Sequence, residues 1–291
     1  MKPSPYQISA FTHAARERSF SKAAAVLGVT QSSITQHVAK LERIVGAQLF
    51  LRRREGLELT RAGRELFEIS DRLRTLEQLI EEKIDDYGEL STGHLQIIAN
   101  APRPALPIIA RYIALYPQVQ IEFTLFGWKA VMDQLREREV DIAIIVEPEV
   151  SEGLYTREIG TTRYKAFVSP DHHLADRRSI SLRDLRQEVV ILPEDGSLTQ
   201  RVVKAKAAKL GFAFSRMIKT ATFPVVKEAV LHGVGVGFML EGGQFPSSNL
   251  ITIDVEEMPE RYRVCLVTPS DKRDLRLVKS FCEVAADASY G

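Results

Sequence analysis

Two groups of residues in this chain have types and spacings suited to chemistry. The first is a run of short hydroxyl and amide side chains, Gln31, Ser32, Ser33, Thr35 and Gln36, continued by Lys40 and then by Arg52, Arg53 and Arg54. Hydroxyls and amides match base edges and phosphates in a major groove, where an amide pairs with adenine through two hydrogen bonds at once. Consecutive arginines are poor core material and good phosphate partners. A solvated helix surface also carries Ser, Gln and Thr, so the polar run alone leaves that alternative open. The second group lies where strands end and helices begin: Asn100-Ala101-Pro102-Arg103, Trp128, Glu147, Ser197, Thr199 and Thr222-Phe223. Such places are where α/β sheets take small ligands, against helix N-termini.

The elements that must position the first group are short. The stretch SFSKAAAVLGVTQSSITQHVAKLE, Ser19 to Glu42, holds two apolar-periodic segments separated by Gly28-Val29-Thr30. Phe11, Ala14, Ala15 and Phe20 predict a first helix with one apolar side. Ser21, also placed with the DNA-contacting residues, is expected to cap a second helix in which Ala24, Ala25 and Leu27 face inward. Gly28 suits the left-handed turn that ends it. Thr30 then caps a third helix, pinned by Ile34, Val38, Leu41 and Val45, with the polar run on its opposite face. Leu49-Phe50, the arginines, Gly56, Leu57 and Leu59 read as a short β-hairpin, a wing beside the third helix.

Charge divides the chain in the same way. Net charge is +1 over 291 residues, but residues 1–65 carry +6, residues 66–90 carry −5 and the rest is neutral. A basic head can approach a polyanion. From Thr60 the pattern becomes one long helix with Leu66, Ile69, Leu73, Leu76 and Ile80 at spacings of three and four, a heptad seam that predicts pairing with a second copy. Packing on its own domain is the alternative for that helix. With 45% hydrophobic and 26% charged residues, the composition is that of a globular chain. There is no apolar run of about 18 residues to span a membrane and no signal-peptide core. Two cysteines without a CxxC indicate a reducing, cytoplasmic setting.

The first 65 residues resemble the winged helix-turn-helix of the LysR-type transcriptional regulators. The resemblance is carried by Phe11, Ser19-Phe20, Ala23-Ala24, Leu27, Val29-Thr30-Gln31-Ser32, Ile34-Thr35, Val38, Leu41-Glu42, Gly46, Leu49-Phe50, Arg52, Leu59-Thr60 and Ala62-Gly63. The family often has Pro at the position of Ser32 and Ser-Arg at Thr35-Gln36. Absence of that Arg removes one expected DNA contact and implies an altered base preference. The resemblance implies a winged helix-turn-helix over residues 1–59, a linker and dimerisation helix over 60–90, and an effector domain over 91–291.

In the body, strands near 94–99, 119–126, 140–146, 164–168, 189–192, 217–220, 235–240 and 263–267 alternate with helices, which predicts α/β with largely parallel sheets. The resemblance, carried here by REVDIAII and AVLHGVGVGFML, implies a two-lobed, periplasmic-binding-protein-like domain, with lobe I about 91–162 and 268–291 and lobe II about 163–267. It implies that the second group of residues lines an effector cleft, usually with Ser or Thr at the positions of Asn100, Trp128 and Thr222; only Thr222 keeps the hydroxyl. Arg103 there favours an anionic or zwitterionic effector. Trp128, the single tryptophan, offers an apolar or cation-binding wall, and Glu147 could hold an amine. The alternatives are that Arg103 points to solvent, Trp128 packs on the hinge, and Ser197 and Thr222 merely cap helices.

No catalytic constellation competes with this. The six histidines lack HExxH or H-x-E spacing, His172-His173 follows a Pro170-Asp171 turn, and no P-loop or GxSxG occurs. GVGVG at Gly233–Gly237 follows a helix and enters a strand, the reverse of a dinucleotide loop. The expectation is a non-enzymatic regulator without metal or cofactor. Its partners would be double-stranded operator DNA, a small effector, a second or fourth copy of itself, and RNA polymerase. A transport-type binding protein or an enzyme with an accessory helical head is the alternative.

Overall fold

The computed structural model describes residues 2–53, 56–84, 93–193, 195–220, 223–241 and 249–287. The chain forms two compact units. The first comprises Met1–Glu89 with the short segments Arg136–Glu139 and Ser270–Arg276; the second comprises Leu90–Leu135, Val140–Pro269 and Leu277–Gly291. Among the described residues no helix is long and apolar enough to cross a membrane.

The first unit runs α1 (Pro5–Arg16), α2 (Phe20–Val26), α3 (Gln31–Val45), β1 (Phe50–Arg53), β2 (Gly56–Leu59) and α4 (Arg61–Ile84). Ser4 opens α1 with a capping box to Gln7, and Thr30 caps α3 by accepting the Ser33 N–H at 3.2 Å. Gly28, at φ +63°, makes the left-handed turn between α2 and α3. Phe11, Ala23, Ala24, Ile34, Val38, Leu41, Leu49, Phe50 and Phe67 form one buried core. The cap of α2 is Ser19, which accepts the Lys22 N–H at 3.3 Å, and not Ser21, which lies exposed inside the helix. Phe20 is the reason: it must be the first helical residue to pack edge-on against Phe50 at 5.6 Å. That phase turns Ala23 and Ala24 inward and leaves Ala25 exposed. Val45 is also exposed. The chain leaves α3 at Gly46, the Glu42 carboxylate takes the Leu49 N–H at 2.8 Å, and Leu49 fills the core instead.

Thr60 caps α4 through the Gly63 N–H at 3.0 Å. Leu66 packs on the head core, whereas Ile69, Leu73, Leu76, Ile80 and Ile84 are exposed along one face. The opposite face buries Phe67, Ser70, Asp71 and Thr75. The expected linker end at 85–90 and the wing tip with Arg54 lie outside the described residues.

The second unit contains two sheets. β3 (Gly93–Ala99), β4 (Val119–Leu125), β5 (Ile142–Val146), β6 (Leu154–Thr162) and β13 (Tyr262–Pro269) form one, in the order β4-β3-β5-β13-β6. β7 (Tyr164–Val168), β8 (Ser179–Ile180), β9 (Val189–Pro193), β10 (Arg216–Thr220), β11 (Val236–Leu240) and β12 (Ile251–Val255) form the other, in the order β10-β9-β11-β7-β12-β8. The helices are α5 (Pro102–Leu115), α6 (Trp128–Arg136), α7 (Leu198–Lys209), α8 (Phe223–Leu231) and α9 (Arg276–Asp287).

Both sheets are mixed, not largely parallel. β3 runs parallel to β4 and β5, but β13 is antiparallel to β5 and β6, and β7 is antiparallel to β11 and β12. Strands that enter a sheet without a crossover helix come in reversed. The chain passes from the first sheet to the second after Thr162, as expected. Its return precedes β13, between residues 256 and 261, and not near 268, because β13 pairs with the first sheet. Cys265 on β13 and Cys282 on α9 are both buried.

Candidate DNA-reading surface and effector site

On α3, Gln31, Ser32, Gln36 and Lys40 are exposed and Ser33 and Thr35 half-buried, opposite the buried Ile34, Val38 and Leu41. The Thr35 hydroxyl donates to the Gln31 carbonyl at 2.9 Å, so it can offer a neighbouring base only its lone pairs. In the wing, β1 and β2 pair in the register Phe50–Leu59 to Arg53–Gly56. Arg52 sets its guanidinium over the Phe20 ring, 5.6 Å from the centroid. Arg53 pairs with Glu58 across the hairpin at 3.0 Å. The structure thus gives an exposed polar helix face and two exposed arginines in one unit.

In the second unit Asn100 and Trp128 meet at the end of β5, and Glu147 follows it in the chain. The Asn100 side-chain oxygen accepts the Val146 N–H at 3.1 Å, and Trp128 Nε1 donates to the Val146 carbonyl at 2.9 Å. Trp128 opens α6 and belongs to one buried apolar cluster with Ile98, Val131, Met132 and Cys265. Ala101 caps α5 with no side-chain hydrogen bond, leaving that helix N-terminus to Pro102 and the exposed Arg103. Glu147, at φ +47°, accepts the Arg263 N–H at 2.6 Å and Arg263 Nη2 at 3.2 Å. Its charge is engaged within the fold, which argues against its holding a ligand amine. Ser197 caps α7 by accepting the Gln200 N–H at 3.1 Å, so capping accounts for its hydroxyl. Thr199 bonds the buried Tyr164 hydroxyl, whose pKa burial pushes well up. Thr222 and the side chain of Phe223 lie outside the described residues.

Sequence reasoning missed Arg201. It projects from α7 and lies over the Trp128 ring, 5.0 Å from the centroid. The signal available was its place one turn after the Ser197 cap, the same helix end that supplies Thr199. Sequence spacing also missed Glu188, which faces both His172 and His173 at 3.5 and 3.4 Å. His172 Nδ1 accepts the Leu174 N–H at 3.2 Å, so neutral His172 carries its proton on Nε2, toward Glu188. One ligand-type atom of each of His172, His173 and Glu188 lies within 4.8 Å of the others.

A winged helix-turn-helix on a long helix, followed by a two-sheet α/β domain with polar groups gathered at a strand end, defines a DNA-binding regulator with a sensor domain. Residues 6–64 match the bacterial regulatory helix-turn-helix protein, lysR family, and residues 88–289 match the LysR substrate binding domain. The chain belongs to the LysR family of transcriptional regulators. It is similar to the HTH-type transcriptional regulator BbuR of Bordetella bronchiseptica, 25% identical over 98% of this chain and 91% of that protein. It is also similar to the uncharacterized HTH-type transcriptional regulator MJ0300 of Methanocaldococcus jannaschii, 30% identical over 83% of each. A full-length OxyR variant from Pseudomonas aeruginosa has the same fold, with a TM-score of 0.82, 17% identity and coverage of 98% of this chain and 95% of that one. These relatives are regulators, and the reading as an enzyme is not favoured.

Proposed function

We propose that this regulator reads its operator with Gln31, Ser32, Ser33, Thr35 and Gln36, and holds the duplex by Ser21, Lys40 and the wing arginines Arg52, Arg53 and Arg54. The observation that carries this is the exposed polar face of α3 beside exposed arginines in the same compact unit. The exposed apolar stripe Ile69, Leu73, Leu76 and Ile80 supports pairing of two copies through α4, as a dimer or within a tetramer. Paired heads would meet two half-sites, in the cytoplasm, where RNA polymerase is a further partner.

We further propose that a small anionic or zwitterionic effector binds between the sheets near Asn100, Ala101, Pro102, Arg103 and Trp128, with Ser197, Thr199, Thr222 and Phe223 on the other side, and alters operator binding or DNA bending. Arg201 on the Trp128 face and the helix N-terminus at Ala101 support an anion there. The effector must prefer one lobe arrangement to shift the population. Two measurements test the proposal: selection of duplexes from a random pool by the full-length protein, and a thermal-shift screen of small carboxylates and amino acids. Failure to enrich any sequence refutes the DNA assignment; no shift from any anion refutes the effector class.

A further inference from the structure

The head's compact unit includes four residues distant in sequence, Arg136–Glu139, which run from the last residue of α6 toward β5. Two neighbours in this turn grip the head at two places. Arg138 Nε donates to Asp71 Oδ2 at 2.7 Å, and Arg138 Nη1 and Nη2 donate to the two oxygens of Asp271 at 2.8 and 2.7 Å. Asp71 is fully buried in α4, and its other oxygen accepts Arg16 Nε of α1 at 2.6 Å. Beside it, Glu139 pairs with Arg18, between α1 and α2. The Arg18 carbonyl accepts the Leu57 N–H of β2 at 2.9 Å, and Gly56 lies so close that a Cβ there would stand 2.8 Å from that oxygen. Glu139 is thus one residue removed from the wing.

The backbone shows how firmly both arms are set. Arg18 and Arg138 hold φ values of +47° and +59°, where non-glycine residues persist only if their surroundings fix them. Burial opposes the Arg138 charge, but the hydrogen bonds and charges of Asp271 and Asp71 outweigh it and raise its pKa. Buried ion pairs are a weak source of net stability, because desolvation offsets their attraction. What this ladder supplies is a defined geometry between α1, α4 and the turn.

We infer that Arg138 and Glu139 are positioning residues for DNA binding: Arg138 sets α4 and α1 through Asp71, and Glu139 sets the wing through Arg18. The inference rests on the reading of Arg52 and Arg53 as phosphate contacts.

The test uses the full-length protein and two labelled duplexes, one selected by the wild type from a random pool and one of arbitrary sequence. Glu139→Ala removes a surface pair and should leave the thermal midpoint unchanged. It should raise amide exchange at Leu57 about tenfold and weaken the selected duplex about fivefold. Arg138→Gln should do the same and also speed exchange at residues 71–75. The exchanged pair Arg18→Glu with Glu139→Arg should restore much of the binding that Arg18→Glu alone removes. If Glu139→Ala leaves both Leu57 exchange and duplex affinity unchanged, the inference is overturned. It is equally overturned if both variants only lower stability throughout the chain. Should Arg52→Ala fail to weaken DNA, the wing assignment falls, while Leu57 exchange still reports on the contact itself.

Discussion

Arg52 rests on Phe20. The guanidinium lies 5.6 Å from the ring centroid, and the ring is itself fixed edge-on against Phe50. The cation is therefore seated against the core before any duplex arrives, and less side-chain entropy is lost on binding. Arg52→Ala should weaken selected and arbitrary duplexes alike and reduce the salt slope by about one. Arg53, already paired with Glu58, should show a smaller effect. Titrations at several salt concentrations decide this; an unchanged slope for Arg52→Ala removes it from the phosphate contacts.

Gln36 is exposed on α3 and should report sequence. Gln36→Ala should cost about 1–3 kcal/mol on the selected duplex and little on an arbitrary one. A repeat of the duplex selection with Gln36→Arg should return a different base at one position of each half-site. Identical enriched sequences from both proteins would show that this side chain does not read bases.

The stripe on α4 predicts assembly. Leu73 is 44% and Leu76 54% exposed, much for two leucines facing the same way on one helix. Replacing both by Glu would place like charges along the pairing face. Sedimentation velocity at micromolar concentration should then show a lighter species that no longer binds two half-sites. Retention of the wild-type mass would mean that copies meet elsewhere.

Trp128 is the single tryptophan, and a cation lies on its face. A carboxylate that draws Arg201 toward itself should change the indole emission. Once a binding anion is found, Arg201→Ala should weaken it about tenfold, the scale of a lost charge-assisted hydrogen bond. Parallel titration of Arg103→Ala assigns the charge between the two arginines. Equal affinity in all three proteins would place the anion outside this site.

Acid should loosen the fold in two stages. Burial lowers the pKa of His13 and of His172. The unfolded chain then takes up protons before the folded one does, so the stability they contribute is full above about pH 6.5 and declines below it. Burial opposes the Asp271 charge, but the Arg138 hydrogen bonds and charge outweigh it and hold its pKa down, and Arg163 and Lys165 do the same for Glu241; the stability from these carboxylates is full above about pH 4 and is lost as pH falls below it. Thermal midpoints should fall in two steps as pH is lowered from about 8 to about 2, and His13→Gln should flatten the first of them. A midpoint independent of pH between 8 and 5 contradicts the assignment.

Local patterns carry much of this protein into view before any coordinates. The cap at Thr30, the stripe Ile34, Val38 and Leu41, and the turn at Gly28 each depend on near neighbours, and each is legible. Phe20 reads as part of the wrong helix because its burial is decided by Phe50, thirty residues on. β13 is misplaced for a similar reason: a strand's letters do not say which sheet receives it. At the proposed effector site, Asn100 and Trp128 can be found from their places at strand and helix ends. Their shared partner, Val146, cannot, since it contributes only backbone atoms. Arg201 and Arg138 escape notice because a surface-type residue announces a long-range contact only when its partner is already known.

The two cysteines have a practical consequence. Both are buried, and burial pushes the Cys265 thiol up to about 11. Thiol-directed reagents need the thiolate, which such a side chain scarcely forms at neutral pH. The native chain is thus a quiet background for site-specific chemistry, with no cysteine to delete first. A lone cysteine introduced at exposed Lys22 or Arg43 would take a spin label by itself, and the distance between two such labels would measure directly how far apart a pair of heads is held.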